Sequence, residues 1–142
     1  MVTISSGLAG GSVATIVMTA FMMALGDDSP PPTAALWARY VGDEPAESYV
    51  MQGLVLHLLY GTAAGAVFVL ALPAVGVGLS DLAVAVAAGI GYAVLLTIVG
   101  MAFWMKIVLS MDAEPKEMGM IAGFHLVYGV VLGGFVGAGL LA

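Results

Sequence analysis

The chain holds two histidines, and each opens the same kind of pentapeptide: "HLLYG" from His57 and "HLVYG" from His125. Imidazole ligates transition metals and carries protons near neutral pH. With no cysteine present, disulfides, thiol redox chemistry and Cys-based metal sites are excluded. Two imidazoles without neighbouring carboxylates underfill a tetrahedral metal site, so a structural metal is disfavoured. They do match the pair of axial ligands that a haem b group takes, with a glycine one turn from each ring to clear its face. The cofactor-site hypothesis comprises His57, His125, Tyr60, Tyr128, Gly61 and Gly129. The plainer reading is that each ring donates to a carbonyl or a Tyr hydroxyl and joins helices. A proton pathway lacks a second charge within the apolar segments to form a relay.

The elements that position these rings follow from composition. The chain is 62% hydrophobic and 8% charged, with mean hydropathy +1.13. Soluble domains carry about 25% charged residues, so a lipid solvent is indicated. Four uncharged stretches, Val2 to Gly26, Val50 to Ser80, Leu82 to Met105 and Met118 to Ala142, each reach the roughly 20 residues of a spanning helix. With no basic residue before its apolar run, the first stretch reads as a structural span rather than a signal peptide. The 142 residues suffice for one bundle and no separate soluble domain.

The first and third stretches align at an offset of 82: "GLAGGSVATIVMTAFMM" from Gly7 against "GIGYAVLLTIVGMAFWM" from Gly89. The second and fourth align at an offset of 68, through "HLLYGTAAG" and "HLVYGVVLG". The ordered matches imply two tandem repeated hairpins, repeat 1 over about 1–80 and repeat 2 over about 81–142. The histidine-bearing helices then run parallel, with both rings roughly 10–12 Å inside their helices and at one level. Residues four apart share a helix face. His57, Gly61 and Gly65 form one stripe and His125, Gly129 and Gly133 another. Gly7, Gly11 and Thr15 match Gly89, Ala93 and Thr97. Small residues at this spacing let membrane helices approach closely, so all of these are expected packing positions.

Three basic residues face nine acidic ones. Without clustered Lys and Arg there is no nucleic-acid partner. Acidic, Lys-poor loops suit high salt and suggest a halophilic archaeon. Arg39, Lys106 and Lys116 all lie on one side of the expected topology, which makes those connections cytoplasmic and puts both termini outside the cell membrane. The longer connection contains "DDSPPPTAALWARYVGDEP". Its prolines stop the first helix, and Thr33 to Val41 form a short helix with Leu36, Trp37 and Tyr40 on one side, packed as a lid on the bundle end. Pro115 and Glu117 mark the start of the last helix.

No nucleotide loop, G-x-S-x-G or HExxH pattern occurs, and the acids sit in loops, so no enzyme is expected. "GLAGGSVATIVMTAFMMALG", the Pro-rich run to "LWARYVGDE", "HLLYGTAAGAVF" and "GFHLVYGVVLGGFVG" together resemble a family of small four-helix prokaryotic membrane proteins, distantly similar to YagU-type inner-membrane proteins. The resemblance covers nearly the whole chain and implies a helical membrane protein with no settled activity. The expectation is therefore an all-α integral membrane four-helix bundle, residues 1–142, with a non-catalytic binding or accessory role, such as a subunit serving a respiratory complex. Its partners would be the bilayer, other membrane subunits or further copies of itself. The alternatives are a haem b electron carrier and a small oligomeric transporter or channel. The last is disfavoured because no helix carries a polar stripe.

Overall fold

The computed structural model describes residues 2–142, and among them there is no strand. Helix α1 spans Ile4–Leu25. It starts on a reciprocal cap in which Thr3 accepts from the Ser6 amide and the Ser6 hydroxyl accepts from the Thr3 amide. It stops at Gly26, ahead of the proline run. Helix α2, Pro32–Tyr40, begins on that run, where a missing N–H costs nothing. After a 3₁₀ turn at Ala46–Tyr49, helix α3 covers Val50–Ala74 and ends where Gly76 takes a φ of +85°. Helix α4, Leu82–Ile98, is capped by Asp81 accepting from the Val84 amide and continues as ten π-helical residues, Val99–Val108. Helix α5, Pro115–Gly137, opens with Glu114 as cap, Pro115 first, and Glu117 returning a bond to the Glu114 amide.

Four helices are long and apolar enough to cross a membrane: Ile4–Leu25, Ala46–Ala74, Leu82–Val108 and Pro115–Gly137. Their large side chains face outward and their small ones inward. Ile16, Leu59, Leu70, Val94 and Leu95 are exposed, while glycines, alanines and threonines fill much of the interior. In water this coat would be untenable. In lipid, where tails solvate Leu and Ile, helix association comes from close backbone approach and packing, and small interior residues provide it.

Around the bundle the order is α3, α1, α5, α4. The tightest contacts are α4 with α5 and α1 with α3, followed by α1 with α5, while α3 and α4 barely touch. The two chain ends meet at one end of the bundle, where the Thr3 hydroxyl donates to the Leu141 carbonyl at 3.1 Å. Helix α2 lies across the other end, as the lid reading expects. The fully buried Ala34 presses on Gly53 of α3. Arg39 donates to the Leu109 carbonyl at 3.0 Å and so ties α2 to the end of the π segment.

Candidate functional site

The expected packing positions lie at helix crossings. In the first hairpin, a methyl added at Gly11 would sit 2.6 Å from the Gly61 carbonyl oxygen, and one at Gly65 would sit 2.7 Å from the Gly11 Cα. Gly7 meets the Gly65 carbonyl, and Gly61 meets the Thr15 hydroxyl. In the second hairpin Gly89 meets the Gly129 carbonyl, a methyl at Gly129 would lie 2.8 Å from the Ala93 Cβ, and Gly133 lies against Ala85 and Val86. Thr15 and Thr97 each turn their hydroxyl back to the carbonyl four residues earlier, Gly11 and Ala93, at 2.7 and 2.8 Å. Both threonines are thereby satisfied without a partner helix. The space beside Gly61 is taken by the Thr15 side chain and that beside Gly129 by the Gly89 backbone and the Ala93 methyl.

The tyrosines of the two pentapeptides part company. Tyr128 is buried and its hydroxyl donates at 2.6 Å to the Gly61 carbonyl, bridging α5 to the diagonal α3. Tyr60 is 39% exposed and stands edge-on to Trp104, ring centres 6.1 Å apart. A third tyrosine that the sequence reading left out, Tyr92, donates at 2.8 Å to the Ala64 carbonyl and packs on Phe68. Its only signal was its place in the 82-residue register, where it stands opposite Gly10.

Both imidazoles point inward and line one cavity of about 340 Å³ at the α2 end of the bundle. Helix α5 starts at the expected Pro115, and the rings reach the same chamber. All four spanning helices contribute: Met18 and Met22 from α1, His57 and Tyr60 from α3, Gly100 and Trp104 from the π segment, Phe124 and His125 from α5. Helix α2 closes it with Pro32, Thr33 and Leu36. Gly100 matters here because it faces His125, and a methyl added there would lie 3.7 Å from the ring Cε1. A second, much smaller void of about 20 Å³ adjoins the rings, among Thr15, Gly61, Ala64 and Tyr128.

The hydrogen bonding of the two histidines differs. His125 Nδ1 lies 3.0 Å from the Ile121 carbonyl oxygen, an acceptor, which assigns the proton to Nδ1. His57 Nε2 is buried with no partner, and so is the Thr33 hydroxyl. Among the described residues no three His, Asp or Glu side chains gather to hold a metal ion. The volume lies at the low end of small-molecule sites, about 300–1,000 Å³, and the lining has their usual character, apolar with a few convergent polar atoms. No known family model matches the chain, and no curated protein and no solved structure matches it.

Proposed function

We propose that this protein is a non-catalytic binding protein of the cell membrane, which holds one apolar small molecule in the chamber where His57 and His125 meet. The observation that carries this reading is the chamber itself: four spanning helices and a capping helix converge on about 340 Å³, while within each hairpin the glycine crossings are closed. An apolar space of this kind in a small bundle costs packing energy unless something fills it. We further propose that the bundle is two copies of one hairpin, on the strength of equivalent glycine crossings at the two offsets. Arg39, Lys106 and Lys116 on the α2 side support a cytoplasmic chamber mouth with both termini outside. Cysteines at Ser29 and Asp112 should then be labelled from the cytoplasm and one at Asp81 from outside. Labelling of Ser29 and Asp81 from the same side breaks the topology.

Trp104 gives the binding test. With Trp37→Phe as background, a brominated alkylbenzene in detergent should quench Trp104 fluorescence saturably, and Gly100→Phe, which fills the chamber, should abolish saturation. Quenching that rises linearly with probe and ignores Gly100→Phe contradicts the reading.

The rival is a haem b group ligated by His57 and His125. In its favour, the Nδ1 bond of His125 leaves its Nε2 free, and His57 Nε2 is unpaired. Against it, the lining has no cation to meet the two carboxylates of such a group, and Arg39 is engaged with Leu109. A Soret band with sharp reduced α and β bands, lost in either His→Ala variant, decides for haem.

A further inference from the structure

Two buried side-chain polar atoms lack a hydrogen-bond partner among the described residues, His57 Nε2 and Thr33 Oγ1, and both residues line the same chamber. They come from different elements. Ala34 presses on Gly53, and Gly53 lies one turn before His57 on α3, so the start of α2 is held over the face that carries the imidazole. An unpaired polar atom in an apolar wall costs free energy unless a bound group satisfies it.

Resting on the chamber reading above, we propose that these two atoms grip one carbonyl oxygen of a neutral, lipid-soluble ring compound of the quinone type. The head group must be neutral, because no cation lines the chamber and an unpaired carboxylate or phosphate would be buried at great cost. A neutral imidazole N–H and a hydroxyl both donate, and a carbonyl oxygen has two lone pairs to accept them. The body must be apolar and is best flat. Trp104 and Phe124 offer ring faces and edges, and Met18 and Met105 offer deformable thioethers. The α3 and α4 backbones barely approach, and side chains such as Tyr60 and Trp104 line the space between them, so an alkyl tail would leave past those side chains.

Two probes of one shape separate this assignment from the chamber itself: a decyl-substituted benzoquinone, and a decyl-bromobenzene that has no carbonyl. Both report through quenching of Trp104 in the Trp37→Phe background. The quinone should bind saturably, and Thr33→Val and His57→Phe should each weaken it about three- to tenfold, the loss of one neutral hydrogen bond. The bromobenzene should bind all three proteins equally. Thermal melts check that each variant is folded; if His57→Phe is not, Thr33→Val alone decides. Equal quinone affinity in wild type and the folded variants overturns the carbonyl grip and leaves the chamber reading standing. Saturable binding of neither probe, or a haem spectrum in the purified protein, overturns both.

Discussion

The seam between α1 and α5 is closed at the backbone, and the seam between α4 and α3 is open at the backbone and bridged by side chains such as Tyr92 and Phe68, although the 82- and 68-residue offsets align the residues of one seam with those of the other. One crossing explains much of the contrast. On the closed seam Gly10 admits the side chains of Leu132 and Phe135, with a methyl added to it falling 3.2 Å from Leu132 and 3.1 Å from Phe135. On the open seam the counterparts of Gly10 and Leu132 are Tyr92 and Ala64. There the large residue has moved to the other helix, and its hydroxyl reaches the Ala64 carbonyl. Tyr92 holds α4 off α3 at the length of a phenol ring. A turn and more away, the register sets Gly100 opposite Met18, so a side chain that fills space beside one histidine is missing beside the other. The two hairpins thus pack unevenly against each other, and the chamber lies where Gly100 faces His125.

The largest effect is expected inside the hairpins, where the glycines meet a neighbouring helix most closely. Gly61→Leu or Gly129→Leu drives a side chain into the Thr15 hydroxyl or the Gly89 carbonyl. Overpacking typically costs about 1–3 kcal/mol, and a backbone clash belongs at or above the top of that range. Either variant should melt far below wild type in detergent or fail to accumulate, and a wild-type melt for both would refute the equivalence of the two crossings.

A smaller effect should separate the paired tyrosines. Tyr128→Phe removes a buried bond and should cost about 1 kcal/mol, whereas Tyr60→Phe, at an exposed hydroxyl, should cost close to nothing. Equal losses in the two melts would mean that Tyr60 has a buried bond of its own. The smallest effect has the opposite sign. Nothing lies within 4 Å of a methyl added at Gly91, which sits mid-helix beside Tyr92 on α4. Gly91→Ala should therefore raise stability by up to about 1 kcal/mol through helix propensity. A loss there would mean that the exposed face of α4 at Gly91 has a packing partner.

The spans, the helix start at Pro115 and Glu117, the glycine stripes and the lid were legible because each is a local pattern: a run of apolar residues, an N-terminal signature, a four-residue period. Both histidines were legible as a pair because their pentapeptides match. The chamber was not, because it depends on positions where the two aligned stretches differ, Gly10 against Tyr92 and Met18 against Gly100, and an alignment read for identities passes over them. The π-helical stretch Val99–Val108 was also hidden. Its residues read as ordinary spanning helix, and no local pattern in them marks the wider register. Thr33 carried no signal beyond its place in a Pro-rich connection, since only the fold brings it to the chamber that His57 also lines.

The central claim is that the histidine end is hollow and the glycine end is not. Xenon enters dry apolar cavities and is excluded from close-packed crossings. Crystals pressurised with xenon should show density bounded by His57, Met105 and Phe124, and none between Gly11 and Gly65 or between Gly89 and Gly133. Xenon absent from the histidine chamber, with side chains closed over it, would contradict the account.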